Sequence, residues 1–495
     1  MKIKHIFKHY NDSLVGYLPI KIIDGLAGIM ALKLYVSLFA PAEFGRYGIY
    51  FATISILYLM GIGWISMAGF RFSKELVTGQ GTSKENFYST IVYACGSIFL
   101  AISVIAVSTL ALLPGVLNID SMVLRVGFLL TLVVLLLGYS MNQLFINLLL
   151  YLDERALNIK LVLLCAILKP ILTLILYYVM DGHIVSLILG QGLIDVILGT
   201  IAIKRLGIFR YTSFKSFDKS LLKRFMTYGY PLIGLSLVMF LLNFSDQYVI
   251  TIFQGDAANG IYKANYTIAA SVFTMIMLGM NRSVFPKVLK FWNDHDEEGA
   301  KRTISFGFKY FSIIAIPAST GLYMMSEYLS KLFLEESYTP GHSIIGIIAF
   351  AMVFYGMSEY ANKGYELKGT TVPIFIHCMI AAIINLILNI LLVPKYGYLV
   401  AAYTTLIGFC IYFLLSFFRR SKILRWHIGF SIIIRLLVIN GLMVGVIILL
   451  QSFLPMNLLS FIIIIVSAIA VYGIGILLFG ILKEEISRFS LKQSK

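Results

Sequence analysis

Lys21, Asp24 and Lys33 lie inside the first apolar stretch of the chain, residues 13–39, which is long enough to cross a bilayer. A charge at the bilayer centre costs about 2.5–3.5 kcal/mol unless it faces protein or water. An anchor has no use for such groups, so they point to a polar path beside this helix in a protein that moves something. Lys21 and Asp24 are three residues apart, which lets them pair on one helix face. Lys33, nine residues beyond Asp24, is expected to face the same cavity. Asp246 stands in the outer third of a later stretch, within Asn243-Phe244-Ser245-Asp246-Gln247. An acid there could gate the path, bind a coupling ion, or sit hydrated at the interface. Arg46, Arg71, Lys263 and Arg282 lie near the ends of apolar stretches, where long basic side chains can serve a path or snorkel to the interface. Lys169, followed by the helix-bending Pro170, is a second-tier candidate. Asp195, Lys309, Glu359 and Arg435 are expected to satisfy contacts between helices, and the lone His377 to be a packed polar residue.

The elements that must position these groups follow from composition. Of 495 residues, 59% are hydrophobic and 13% charged, and the mean hydropathy is +0.89. A soluble protein of this length could not bury so much apolar surface, so lipid is its solvent. In lipid the backbone must satisfy its own hydrogen bonds, which leaves helices or closed barrels. The apolar runs are about 20 residues long without period-2 alternation, and so read as helices. Fourteen spans are predicted, at 13–39, 46–70, 87–113, 122–150, 157–179, 183–203, 228–252, 260–285, 303–326, 342–362, 371–393, 398–418, 430–452 and 457–482. The ninth runs on into the amphipathic stretch 327–334. The first apolar run is too long for a signal-peptide core, so no cleavable signal is expected. Residues 1–10 are expected to form a short surface helix.

An even number of spans puts both termini on one side, and Lys2, Lys4 and Lys8 make that side cytoplasmic by the positive-inside rule. The N-terminus, loops and tail assigned to that side carry thirty basic residues, seven of them in the run 204–224, against four (Arg46, Arg125, Lys331, Lys395) on the other. The net charge of +16 is thereby orientation signal and affinity for anionic headgroups. The basic residues are dispersed over many segments, which argues against a nucleic-acid partner. Cys95, Cys165, Cys378 and Cys410 all fall inside spans without metal-ligand spacing and read as small core residues. No Walker A motif is present, so ATP is not expected as the direct energy source, and no cofactor is expected.

The chain also carries a repeat. Glu43-Phe44-Gly45-Arg46-Tyr47 after span 1 matches Ala258-Asn259-Gly260-Ile261-Tyr262 after span 7, with Gly and Tyr offset by 215 residues in both cases. The same offset carries Asp181-Gly182 onto Tyr396-Gly397. A register shared by two pairs of loops implies two six-helix halves in one orientation, related by an axis along the membrane normal. The expected organisation is an N-terminal bundle (1–203), a basic cytoplasmic linker (204–227), a C-terminal bundle (228–418), and two extra helices with a tail (419–495).

Asn385-x3-Asn389-x4-Pro394-x2-Gly397-x3-Ala401-Ala402-x-Thr404 resembles a stretch of the polysaccharide transport proteins of the multidrug/oligosaccharidyl-lipid/polysaccharide exporter superfamily. Asp246 with Gly260-x-Tyr262-x-x-Asn265 is similar to that family's seventh-to-eighth helix segment, and Phe44-Gly45-Arg46-Tyr47 to its first-to-second. The resemblance covers the whole chain and implies an all-helical polytopic fold, two pseudo-symmetric six-helix bundles as in the superfamily's multidrug exporters plus two C-terminal helices. It implies a flippase that moves undecaprenyl-diphosphate-linked oligosaccharide repeat units, of the O-antigen or capsule type, across the bacterial cytoplasmic membrane by alternating access. Helices 1, 2, 7 and 8 are expected at the cavity.

Such a cargo is anionic at its diphosphate, polar at its sugars and apolar at its tail. Lys21, Lys33, Arg46, Lys263, Arg71 and Arg282 are the expected substrate contacts, with Lys169 behind them. Asp24 and Asp246 are the expected gating or ion-coupling groups for a proton or sodium gradient. The expected partners are the lipid-linked oligosaccharide, membrane lipids, and the polymerase and chain-length machinery of polysaccharide synthesis. One alternative is a cation-coupled multidrug exporter of the same superfamily, for which the cavity should be acidic. Another is a membrane glycan polymerase or ligase, for which the short outer loops and the lack of a catalytic acid–base motif are unsuited.

Overall fold

The computed structural model describes residues 18–79, 81–111, 121–420, 424–426, 429–455 and 457–482, with side chains at 18–24, 109–111 and 430 left out. The surface helix expected at residues 1–10 lies outside the described residues.

Helices occupy all fourteen expected positions: α1 (Leu18–Leu38), α2 (Pro41–Thr78), α3 (Lys84–Ala111), α4 (Met122–Tyr151), α5 (Arg155–Val179), α6 (Val185–Leu206), α7 (Lys219–Gln254), α8 (Asp256–Asn293), α9 (Glu297–Met324), α10 (Ser343–Leu367), α11 (Val372–Tyr396), α12 (Leu399–Phe418), α13 (Phe430–Phe453) and α14 (Leu458–Leu478). Among the described residues, twelve are long and apolar enough to cross a membrane. α1, whose described apolar part is Gly25–Leu38, is too short to be counted with them, and α9 also falls outside that set. α9 carries Glu297, Glu298, Lys301 and Arg302 in its first turns and stops at Met324. The amphipathic continuation is a separate helix, Ser326–Phe333.

Packing divides the chain into two units, Met1–Gly260 and Ile261–Lys495. This division follows contacts, whereas the repeat follows sequence register. The helix after the basic linker, α7, packs with the first unit.

In the first unit, α4 and α6 approach through glycine. A Cβ on Gly138 would collide with the Gly192 carbonyl, and one on Gly190 with Thr173 of α5. Close approach through small residues is how helices associate where lipid removes the hydrophobic drive. Both α2 and α4 contain a π turn, at Leu59–Gly63 and Asn142–Ile146. Each inserts a wider turn that shifts the following face of its helix. α7 has 36 residues, about 54 Å at 1.5 Å per residue, and so extends beyond a bilayer core. It packs on α2 through Phe72 stacked on Phe225 and through Arg224, whose guanidinium bonds Glu75 at 2.7 Å. The linker before it is pinned to α3: Ser213 N donates to Ser89 Oγ at 2.9 Å and Asp218 N to Thr90 Oγ1 at 3.1 Å. Asp218 then caps α7 by accepting from Ser220 N and Leu221 N. Gly255 at φ 84° makes the one-residue break between α7 and α8.

In the second unit α10 is the central helix, with Ile344, Ile345, Ile348, Ala349 and Ala351 fully buried. Phe308 and Phe311 of α9 pack on Tyr360 of α10, and Trp426 seals the same cluster. α13 joins α9 through Asn440 Nδ2 on Thr320 Oγ1 at 2.9 Å and Gln451 Nε2 on the Met324 carbonyl at 3.2 Å. The last two helices are thus packed onto the second unit.

Candidate functional site

The first unit holds most of the expected site residues. Lys21 and Asp24 sit on α1, but their side chains lie outside the described residues. Lys33 is exposed on α1, five residues before its end. Nine residues make two and a half turns, so positions 24 and 33 fall on opposite faces of α1, and the shared cavity face expected for the three charges does not hold. Arg46 is half exposed and its Nε lies 3.1 Å from Asp256 Oδ2. Arg71 is exposed near the basic end of α2. Asp246 is 1% exposed on α7, and one of its carboxylate oxygens accepts from Gln247 N at 2.8 Å. Beside it on α7, Tyr248 shares a 2.9 Å hydroxyl hydrogen bond with Thr53 of α2.

The two repeat motifs meet in this unit. Gly45, in the first turns of α2, lies against the first turn of α8. A Cβ on Gly45 would collide with the Asp256 carbonyl, and one on Gly260 with the Pro41 carbonyl. Asn259 Nδ2 donates to the Gly45 carbonyl at 3.0 Å, and the Arg46–Asp256 ion pair closes the same junction. The glycines that identify the duplication are therefore contact residues. Pro41 starts α2 at its first position, where a missing N–H costs nothing.

Lys169 faces Asp195. The Lys169 Nζ–Asp195 Oδ2 distance is 2.8 Å, and Asp195 is 2% exposed. Asn142, at the start of the α4 π turn, donates to Asp195 Oδ1. Cys165 lies 3.6 Å from the same oxygen. One turn before Asp195 on α6, Gln191 Nε2 donates to the Tyr35 hydroxyl at 2.6 Å. Asp195 thus ties α4, α5 and α6 together with partners on both carboxylate oxygens, and Gln191 links α6 to α1. Removing one member of such a pair leaves an uncompensated charge and costs about 3–5 kcal/mol.

In the second unit, Lys263 and Arg282 are half-buried on α8. Buried Asn265 of α8 donates to the Tyr338 carbonyl at 2.9 Å and accepts from Ser330 Oγ at 3.1 Å, which fastens the loop between α9 and α10. In the asparagine motif, Asn389 Nδ2 donates to Asn385 Oδ1 at 3.3 Å and Thr404 Oγ1 donates to Asn389 Oδ1 at 2.5 Å, all three fully buried between α11 and α12. Lys363 of α10 lies 2.8 Å from Glu366 and 3.8 Å from Glu359.

Some of these roles were readable and some were not. Lys169 is ten residues before the end of α5 and Asp195 ten residues after the start of α6, so in an antiparallel pair they stand at one depth. That spacing could have paired them. Nothing in the sequence marks the π turn that brings Asn142 to them. Asp256 and Asn259 belong to the repeat motif's neighbourhood, but only the fold shows what they hold.

A protein-family model described as "Lipid II flippase MurJ" matches residues 156–468 of the chain. An uncharacterized membrane protein of Methanocaldococcus jannaschii, MJ1068, is 25% identical over 268 residues, which cover 52% of this chain and 51% of that protein. A Haloferax volcanii protein described as "Probable low-salt glycan biosynthesis flippase Agl15" is 20% identical over 166 residues, 34% of this chain and 35% of that protein. The chain spans about half the length of the first of these relatives and less of the second. Among solved structures, "Lipid II flippase MurJ, inward closed conformation" superposes with a TM-score of 0.78 at 18% identity, covering 95% of this chain and all of that one. The fold is the same.

Proposed function

The chain belongs to the MurJ lipid II flippase family, and we propose that it flips a polyprenyl-diphosphate-linked oligosaccharide across the cytoplasmic membrane by alternating access. The observation that carries this reading is the set of basic side chains, Lys33, Arg46 and Arg71 on α1 and α2 and Lys263 and Arg282 on α8. A diphosphate needs such cations, and a sugar chain needs the hydrogen-bonding groups beside them. The lipid tail can remain in the bilayer throughout. Lys21 completes the cationic set, and Lys169 is a second-tier member whose ammonium serves Asp195. Asp24 and Asp246 are the gating or coupling groups, for protons or sodium.

The cargo we favour is a repeat unit of an O-antigen, capsule or similar surface polymer, because the motifs of α7–α8 and α11–α12 resemble the polysaccharide transporters and a relative is described as a glycan biosynthesis flippase. The two repeats at 1–203 and 228–418, joined by the linker at 204–227, provide the moving bodies, with 419–495 appended. The arrangement suits a bacterial cytoplasmic membrane protein with cytoplasmic termini that hands its cargo to polymerase and chain-length machinery. A multidrug exporter is the second reading, and the basic character of the set weighs against it.

The test is flipping by purified protein in liposomes that carry either a diphosphate-linked oligosaccharide or a diphosphate-linked muropeptide. Flipping of the oligosaccharide with a slow muropeptide supports the proposal. The reverse preference would assign the cargo to peptidoglycan synthesis, and export of a cationic drug with neither lipid moved would support the exporter.

A further inference from the structure

Arg46, Arg125, Lys331 and Lys395 are among the basic residues at the helix ends that the charge distribution assigns to the outside. Arg46 is paired with Asp256, and Lys331 Nζ is 2.6 Å from Glu327 Oε1. Lys395 is in the last turn of α11, where a cation is favoured by the helix dipole. Arg125 has none of these supports. It lies in the first turns of α4, the end at which the dipole opposes a cation. It is 8% exposed, and its Nε and Nη1 are buried without a hydrogen-bond partner. Burying a guanidinium without a partner is costly, and native interiors rarely leave one so.

The surroundings fit an anion. Ser121 precedes α4 with an extended backbone and makes no side-chain cap. The first helical hydrogen bond is Arg125 N to the Ser121 carbonyl at 2.9 Å, so the amides of Met122, Val123 and Leu124 have no partner within the helix. Side chains on a helix lean toward its N-terminus, which carries the Arg125 stem back toward those amides. Free amides at a helix start and a guanidinium are the two groups that most often hold phosphate. The same turn bears Met122, Val123 and Leu124, all strongly exposed, a surface suited to acyl or prenyl chains. One turn further on, Phe128 packs edge-on against Tyr50 of α2, with ring centroids 5.4 Å apart.

We propose that the start of α4, where Ser121 makes no side-chain cap, and the buried Arg125 guanidinium bind the phosphate of a lipid in the outer leaflet. The phosphate comes either from a bulk anionic phospholipid or from a polyprenyl-diphosphate carrier. The proposal rests on the surroundings of Arg125 and stands whatever the cargo.

Thermal unfolding of the purified full-length protein in non-ionic detergent, titrated with farnesyl diphosphate or with phosphatidylglycerol, tests it. Wild type is expected to be stabilised by at least one of the two, and Arg125→Met to bind that probe about tenfold more weakly, the loss of one charge-assisted contact. A loss confined to farnesyl diphosphate assigns the site to the carrier, and one confined to phosphatidylglycerol to bulk lipid. Without either probe, Arg125→Met is expected to unfold at the wild-type temperature or above it, because it removes an unpartnered buried charge. Unchanged binding of both probes, binding of neither by wild type, or equal destabilisation of the variant with and without probe would overturn the proposal.

Discussion

Lys169 and Asp195 set the residue-scale terms, because they separate a structural charge from a functional one. Their pair is buried and each carboxylate oxygen has a partner. Lys169→Met alone should lower stability by about 3–5 kcal/mol, since it strands a buried carboxylate. The double variant Lys169→Met with Asp195→Leu should recover most of that loss, because a well-packed apolar pair is often as stable as the ion pair. Chemical unfolding of the four members of this double-mutant cycle measures the coupling. A double-variant loss equal to the sum of the two single losses would show that the pair contributes nothing beyond packing. Asp246 is buried as well, with the backbone of Gln247 on one oxygen. Its proposed role predicts that Asp246→Asn keeps cargo binding and loses any dependence of flipping on a proton or sodium gradient. A gradient response as large as that of wild type would remove Asp246 from the coupling role.

At the scale of elements, the junction of α2 with the start of α8 makes the sharpest prediction. Gly45 and Gly260 let two backbones touch, and any side chain at either position meets a carbonyl. Gly45→Ala should therefore open the junction and break the Arg46–Asp256 pair. A cysteine pair at positions 46 and 256 reads this directly, with crosslinking expected to fall several-fold in the Gly45→Ala background. Undiminished crosslinking would mean that the backbones yield without separating. This junction also shows how far a sequence can be read. The helices were legible, because an apolar run of about 20 residues has few alternatives in lipid. Gly45 and Gly260 were legible as a repeat but not as a contact, since register says nothing about which elements cross. The π turn at Asn142 was hidden, because a hydropathy window cannot register one wider turn. The outer end of the ninth span, expected at 326 with an amphipathic stretch following, is a break at Met325 before a separate helix. Arg125 counted only as an exception to a topology rule, and its burial needed coordinates.

For the whole molecule, the chain has the MurJ fold and belongs to that family, and the proposal that it flips an anionic cargo rests on the basic side chains on α1, α2 and α8. The polysaccharide-transport resemblance and the lipid II flippase family are close readings that share the diphosphate and differ in the sugar-borne part of the cargo. Only transport separates them from each other and from drug export. The most direct measurement is flipping of a fluorescent, short-chain diphosphate-linked oligosaccharide in proteoliposomes, comparing wild type with the double variant Lys33→Ala, Arg46→Ala. The account predicts that wild type accelerates flipping and that the variant is slower by about tenfold or more, as expected when charge-assisted contacts to the diphosphate are lost. Flipping at the wild-type rate by the variant, or no flipping of the lipid-linked glycan by wild type, would contradict it.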